Sequence, residues 1–240
     1  MEGMSGITRV AVRRRGMAAV GVIAVFVLWT GWVAASGWVA ASGWVTGWDA
    51  GVLRWFVEHR SGGWTGVAKG ITFLGNPRHA TVITAGVAGV VWWRFRDYRP
   101  AVLVGGTVIC AALLGTLTKV LVGRERPPVE TRLVMHSNMS YPSGHATATT
   151  ALVGVVVLMY LISRPGRVRA TVAVGAAVGA VVVMSMTRLY LGVHWLSDVV
   201  GGALLGTAVV LIAAVVQVFW WPREIVEVAG EEVADQAVGR

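Results

Sequence analysis

The chain of 240 residues is 55% hydrophobic and 14% charged, with a mean hydropathy of +0.67. Soluble domains carry about 25% charged residues, so this composition excludes an ordinary soluble protein. Several uncharged windows of about 20 residues are long enough to cross a bilayer as helices, and they lack the alternating polarity of a membrane β-barrel. We therefore expect an all-α, polytopic membrane protein.

The net charge of +9 does not predict a nucleic-acid partner, because arginines that flank membrane spans account for it. The single cysteine, Cys110, lies in an apolar run and excludes an intrachain disulfide. The acidic residues are scattered, and no Cys/His ligand spacing occurs. We expect neither a metal nor any other cofactor.

The first apolar segment follows three arginines, Arg13 to Arg15, and predicts a span from Met17 to about Ser36. The string VAASG at 33–37 resembles the cleavage site of a signal peptide. The apolar run continues well past a normal signal core, so we favour an uncleaved span.

The hexapeptide GWVAAS occurs at 31–36 and again at 37–42, followed by GWV at 43–45. These copies are too few and too short for a solenoid. We interpret the repeat as a neutral duplication that lengthens the first helix beyond the bilayer. Residues 1–47 are then a cytoplasmic N-terminus and the first transmembrane helix.

The segment WDAGVLRWFVEHR, residues 48–60, mixes charged and aromatic residues at helical spacing. It predicts an amphipathic helix at the membrane surface in the 48–77 region, before Asn76 and Pro77 break the chain. Further apolar runs bring the predicted number of transmembrane helices to six. They cover roughly Ala80–Trp93, Pro100–Val122, Gly144–Ser163, Arg169–Met186 and Leu196–Trp221.

Arginine placement predicts the orientation of the chain. The N-terminus, the loops at 94–99 and 164–169 and the C-terminal tail carry arginine, so the positive-inside rule places both termini in the cytoplasm. The long polar loop at 123–142 and the 187–196 stretch then lie at the outer face. Cations in or beside these outer segments weaken the rule unless they have another role; they are Lys119, Arg124, Arg126, Arg132 and Arg188.

Three motifs fall at this outer face. They are Lys119 followed after six residues by Arg126-Pro127, then PSGH at 142–145, then Arg188 followed after five residues by His194 and after three more by Asp198. Cations near the membrane boundary are costly unless paired, and an anionic ligand would neutralise them. Arginine suits phosphate because its guanidinium binds two oxygens at once. A helix that begins at Ser143 and Gly144 would direct free N–H groups at the same anion, so phosphate is the predicted ligand.

The two histidines of these motifs have different predicted roles. His194 and Asp198 share a helix face at a spacing of four residues, and a carboxylate bonded to one ring nitrogen leaves the other free to attack. His145 can then protonate the leaving oxygen and later activate water. Ser143 has no separate acid–histidine partner, so we interpret it as a hydrogen-bond donor to phosphate rather than as a nucleophile.

Each motif taken alone has a simpler explanation. PSGH can be an ordinary helix start, the His194–Asp198 pair can serve packing, and Lys119 with Arg126 can anchor lipid headgroups. All three motifs in this order, on one predicted face, favour a functional site.

These residues resemble the type 2 phosphatidic acid phosphatase superfamily, whose members carry K-x6-R-P, P-S-G-H and S-R-x5-H-x3-D. The first two motifs match unchanged, whereas Thr187 stands where the third has serine. The resemblance covers roughly residues 48–221, the predicted catalytic domain. The N-terminal repeat and the acidic tail at 222–240, predicted to be cytoplasmic, lie outside it.

The resemblance implies a six-helix, metal-independent membrane hydrolase that acts through a phosphohistidine at His194, polarised by Asp198, with His145 as the acid. The residues that it implies for phosphate binding are Lys119, Arg126, Ser143, Gly144 and Arg188. Family substrates include phosphatidic acid, phosphatidylglycerol phosphate and polyprenyl diphosphates. Vanadium haloperoxidases share the motifs, but they are soluble.

Some questions stay open at this level. Arg124 can contact a second phosphate or line the site, and we favour lining. His136, near Asn138, is expected to be an exposed loop histidine, with substrate contact as the alternative. A phosphotransferase that uses the same pocket, or a non-catalytic carrier of lipid phosphates or anions, would also fit parts of the pattern. We expect a bacterial plasma-membrane protein in contact with the lipid bilayer.

Overall fold

The computed structural model describes residues 6–38, 44–163 and 166–221, and every regular element within them is a helix. The predicted all-α class is therefore confirmed for this part. The helices are α1 (Gly6–Trp38), α2 (Trp44–Glu58), α3 (Gly62–Leu74), α4 (Pro77–Phe95), α5 (Tyr98–Val122), α6 (Gly144–Ile162), α7 (Arg167–Tyr190) and α8 (Leu196–Trp220), with a short 3-10 helix at Val129–Thr131. The acidic tail at 222–240 and part of the GWVAAS repeat, at 39–43, lie outside the described residues.

Five of the described helices are long and apolar enough to cross a membrane, by length and composition. They are α1 over Val12–Ala35, α5, α6, α7 and α8. The helix α4, expected as the second of six spans, is not among them. Its uncharged stretch, 80–93, is flanked by Arg78 and Arg94 and is shorter than the ~20 residues that a span needs.

The amphipathic region contains two helices where one was expected. The helix α2 ends at Glu58, and Ser61 caps the start of α3 by accepting a hydrogen bond from the Trp64 N–H at 3.5 Å. Arg60 holds the turn between them by donating to the carbonyl oxygens of Thr131 at 2.7 Å and Tyr190 at 2.8 Å. The turn is therefore tied to the 123–142 loop and to the end of α7.

Close packing of α6 against α8 brings two of the sequence motifs together. A Cβ at Gly206 of α8 would lie 2.6 Å from the Cβ of Thr150 on α6, and one at Gly202 would lie 2.6 Å from the Ser143 carbonyl oxygen. Small residues at a helix interface let two backbones approach closely. The start of α8, with its aspartate, therefore lies beside the start of α6.

The polar 123–142 loop folds back over this end of the bundle. Its main chain bonds to the α7–α8 junction through the Leu133 N–H and the Leu191 carbonyl, at 2.9 Å. The Ser143 N–H donates to the Asp198 carbonyl, also at 2.9 Å. These bonds hold the loop where its side chains and carbonyls can face one cavity.

Candidate active site

One cavity of about 550 Å³ collects residues from all three motifs. They come from the last turn of α5, the 123–142 loop, the start of α6, the end of α7 and the residue pair before α8. The motif residues that line it are Lys119, Arg126, Gly144, His145, Arg188 and His194. The structure thus brings together side chains that the sequence spreads over about 75 positions.

His194 is buried, and its two ring nitrogens face different partners. Nδ1 lies 3.2 Å from Oδ2 of the fully buried Asp198, and Nε2 lies 3.2 Å from Nη1 of Arg126. Burial lowers the pKa of His194 to about 3, against the opposing effect of Asp198, so the ring is neutral at pH 7. With its proton on Nδ1, the ring directs the Nε2 lone pair toward the cavity, as a nucleophile requires.

Asp198 is held in place by several donors. Its Oδ2 accepts hydrogen bonds from the Trp195 N–H at 2.8 Å and from the Ser140 hydroxyl, in addition to its contact with His194. Its Oδ1 pairs with Arg124 Nη1 at 2.6 Å. A carboxylate with both oxygens bonded in this way has one orientation, and it fixes the tautomer of the imidazole beside it.

Main-chain carbonyl groups hold two of the cavity cations. The Lys119 ammonium donates to the Pro142 carbonyl at 2.6 Å, and Arg126 donates to the carbonyls of Asn138 at 2.7 Å and Val193 at 2.6 Å. Burial lowers the pKa of Arg126 to about 10, so it stays charged at pH 7. Carbonyl groups fix these side chains without cancelling their charge, which is available to an anion.

Arg188 and Ser143 supply polar atoms that have no partner among the described residues. Arg188 is buried and donates to Thr72 Oγ1 at 2.5 Å and to His136 Nε2 at 2.8 Å, which leaves its Nε–H unpaired. The Ser143 hydroxyl, at the start of α6, is also buried and unpaired. Buried polar atoms are nearly always hydrogen-bonded, so the Arg188 Nε–H fits an oxyanion in the cavity that accepts from it. Ser143 itself is not among the residues that line the cavity, although its neighbour Gly144 is.

His145 lies on the first turn of α6 and lines the cavity. Its ring packs against the end of α3, where a Cβ at Gly75 would come within 2.6 Å of the ring carbon Cδ2. The ring of His136 stands edge-on to it at a centroid distance of 6.3 Å. Gly75 therefore leaves the space that His145 needs, a role that its sequence context does not reveal.

His136 is half-buried in the cavity wall, so the expectation of an exposed loop histidine is wrong. Burial, with Arg188 and Arg126 nearby, lowers the pKa of His136 to about 4. The neutral ring can then accept a hydrogen bond from Arg188. The loop folds inward because its main chain is tied to α7 and α8, which sequence spacing does not encode.

Arg124 and Thr187 do not belong to the cavity wall. The Arg124 guanidinium turns to the far side of Asp198, where its Nη2 pairs with Asp49 Oδ2 at 2.5 Å. The sequence favoured a position of Arg124 in the lining of the site, and the structure does not place it there. The hydroxyl of Thr187 is buried and donates to the Met184 carbonyl at 2.7 Å, within its own helix.

The residues that sequence reasoning missed come from outside the three motifs. Asp49 on α2 contacts Arg124, and Thr72 on α3 contacts Arg188. Ser140 contacts Asp198. Asp49 is the one acidic residue in the first turns of α2, which is the signal that singles it out.

Comparisons with known sequences identify the family of the chain. A family model described as the PAP2 superfamily matches residues 100–222. The chain is 32% identical over 152 residues to the decaprenylphosphoryl-5-phosphoribose phosphatase of Mycobacterium tuberculosis, from two strains, over 61% of this chain and 77% of the relative.

A solved structure shares the fold. It is the crystal structure of the first transmembrane PAP2 type phosphatidylglycerolphosphate phosphatase from Bacillus subtilis, with a TM-score of 0.71 and 22% sequence identity. The match covers 81% of this chain and 93% of that one.

Proposed function

This chain belongs to the PAP2 superfamily and is a membrane phosphatase, and from that premise we propose that it hydrolyses a lipid phosphate or diphosphate through a phosphohistidine intermediate. One observation carries the proposal. The neutral, aspartate-bound His194 opens on a cavity that also holds three cations and the start of a helix. A carrier of anions would use the cations but has no need of an oriented imidazole.

Phosphate binding comes first in the proposed reaction. Lys119, Arg126 and Arg188 surround the phosphate, and the unpaired Ser143 hydroxyl and the Gly144 N–H donate to its oxygens. Because these donors are fixed before the substrate arrives, they can favour the five-coordinate transition state, in which charge on the equatorial oxygens is greatest.

The proposed reaction has two chemical steps, formation of a bond between His194 and phosphorus and hydrolysis of that bond. His194 Nε2 attacks phosphorus, the bond from phosphorus to the lipid oxygen breaks, and His145 gives that oxygen a proton. His145 then takes a proton from water as the water attacks phosphorus. The P–N bond breaks, and inorganic phosphate leaves with the original imidazole restored.

The shape of the cavity supports a lipid substrate. Away from the cations it continues between α4, α5 and α6 along small and apolar residues. They are Ala80, Thr81, Val108, Ala111, Ala112, Gly115, Thr116 and Ala148. A hydrocarbon chain fits such a groove, and the start of α4, at Ala80 and Thr81, forms part of its wall. We therefore propose that α4 is a sixth span, and that residues 48–221 form the catalytic domain.

Phosphate release from a panel of substrates by the purified protein tests the function. The Mycobacterium tuberculosis relative is named for a decaprenylphosphoryl sugar phosphate, so a phosphorylated polyprenyl-phosphate sugar belongs in the panel beside phosphatidic acid, phosphatidylglycerol phosphate and undecaprenyl diphosphate. We expect release that persists in excess EDTA. Reversible loss on chelation would contradict the mechanism, and a phosphorylated product with an added alcohol would indicate a transferase instead.

Labelling of single cysteines in a Cys110→Ala background tests the proposed orientation, with the site outside and the termini in the cytoplasm. Ser137→Cys, in the exposed part of the outer loop, is expected to react with a membrane-impermeant thiol reagent in intact cells. Gly166→Cys, between α6 and α7, is expected to react only after the membrane is opened. The reverse pattern would move the substrate to the inner leaflet.

A further inference from the structure

A buried network of ion pairs lies behind the nucleophile, on the side of Asp198 that faces away from the cavity. Arg124 joins Asp198 Oδ1, at 2.6 Å, to Asp49 Oδ2, at 2.5 Å. The Ser197 N–H and hydroxyl also donate to Asp49, at 3.0 and 2.7 Å. Because the other oxygen of Asp198 bonds to His194, the chain of contacts runs from α2 to the nucleophile.

The charges of this network are unequal. Both carboxylates are buried, and the one guanidinium between them is mostly so, with 14% of its side chain exposed. Two carboxylates and one guanidinium leave one negative charge, and the imidazole of His194 is the next group along. That imidazole becomes positive when Nε2 forms a bond to phosphorus, and a negative charge on Asp198 stabilises it. Without Asp49, Arg124 would cancel the charge of Asp198 alone.

We propose that Asp49 and Arg124 are positioning residues that act through Asp198. Arg124 fixes the orientation of Asp198. Asp49 pairs with the same guanidinium, so the positive charge of Arg124 is divided between two carboxylates and Asp198 stays negative enough to stabilise a positive His194. The inference rests on the proposed function. Asp49 also lies outside the residues that the family model matches, 100–222, so a helix of the N-terminal part contributes to the catalytic machinery.

Kinetics of purified variants on the substrate that the wild type hydrolyses fastest test the inference. Arg124→Gln is expected to lower kcat about 100-fold and Asp49→Asn about 10-fold, with KM changed less than about threefold, because neither residue faces the cavity. Arg124→Lys, which can reach one carboxylate but not both, is expected to retain more activity than Arg124→Gln.

The double variant Arg124→Gln/Asp49→Asn separates charge sharing from a structural tie. Arg124→Gln leaves two buried carboxylates side by side, so removing the charge of Asp49 is expected to restore kcat roughly tenfold. Arg54→Gln, an exposed arginine on the same helix α2, is the matched control and should leave kcat unchanged.

Four results would overturn the inference. A raised KM at constant kcat in Arg124→Gln would assign it to substrate binding. A lower melting temperature with unchanged kinetics in Asp49→Asn would show that the network is purely structural. If Arg124→Gln does not fold, the kinetics of Asp49→Asn alone test the inference. A double variant no faster than Arg124→Gln would exclude charge sharing. A wild type that releases no phosphate from any substrate would remove the proposed function itself.

Discussion

The two sides of His194 both carry three charged residues, but those residues find their partners in opposite ways. On the cavity side, which we name the cation face, Lys119, Arg126 and Arg188 are held by neutral oxygens and nitrogens. On the opposite side, which we name the carboxylate face, Asp198, Arg124 and Asp49 pair directly with one another. The cation face leaves its positive charge uncompensated, as the binding of an anion needs, whereas the carboxylate face pairs its charges and keeps one negative charge in excess beside the imidazole of His194.

The largest expected effect comes from the imidazole that joins the two faces. His194→Ala removes the nucleophile, and we expect kcat to fall by roughly 10⁴-fold or more. Ser143→Ala removes one donor to a charged group, which costs about 1.5–3 kcal/mol, or roughly 10- to 100-fold in rate. Steady-state phosphate release measures both. An equal and complete loss of activity in both variants, with folding intact, would indicate that Ser143 is the nucleophile. The site would then be a serine site rather than a histidine site between two charged faces.

Loss of a cation is expected to act on transition-state binding. Vanadate adopts a five-coordinate form similar to the transferring phosphoryl group, so it is expected to inhibit the wild type. Arg188→Ala should weaken that inhibition roughly 10- to 100-fold, since one charge-assisted pair of hydrogen bonds is lost. Inhibition that is equally strong in the variant would show that Arg188 serves packing with Thr72 rather than the cation face.

The smallest expected effect is on the pH dependence of stability. His136 has a pKa of about 4 in the folded chain and about 6.5 when unfolded, so the unfolded chain binds the extra proton between these values. Stability from the neutral ring is therefore complete above pH 6.5 and is lost as pH falls toward 4. The half-exposed position reduces the effect, and we expect a shift in Tm on the order of 2 °C.

Melting curves in detergent at pH 7 and pH 5 measure this dependence. His136→Gln keeps a hydrogen-bond acceptor without the titration, so its Tm should fall less than that of the wild type. The dependence should not vanish, because the pKa of His194 is lowered in the same direction. An equal fall in both proteins would show that the cation face does not perturb His136.

The sequence predicted the cation face better than the carboxylate face, because local geometry governs the first. The start of α6 at Ser143 follows from one helix, and His194 meets Asp198 across four residues of chain. The shared helix face expected for this pair is wrong, because α8 begins only at Leu196 and His194 precedes it. The partnership of Asp49 with Arg124 depends on how α2 packs against α8, and no spacing within one element encodes that distance. The same holds for Thr72, which reaches Arg188 from α3.

Prediction of the fold was limited by composition at one helix. The apolar runs of α5 to α8 are about as long as a bilayer span or longer, so the predicted bounds of these helices were within about four residues of those observed. The helix α4 is uncharged only over 80–93, and arginines flank this stretch on both sides. The sequence does not define where those arginines lie relative to a membrane. In the amphipathic region, the turn at Arg60 depends on carbonyl groups of a distant loop.

Main-chain carbonyls hold Lys119 and Arg126, so their positions depend more on the path of the loop backbone than on which side chains the loop carries. Every residue type offers a carbonyl, so the side chain of Met139 can be exchanged while its main-chain oxygen still accepts from Lys119. Asn138 differs, because its side-chain Oδ1 also accepts from Arg126, at 2.6 Å. Headgroup preference can thus be altered by substitution in this loop without rebuilding the catalytic centre. A deletion of one residue between 138 and 142 would shift the register of these carbonyls and release Lys119, whereas Arg126 would keep its hydrogen bond to the Val193 carbonyl.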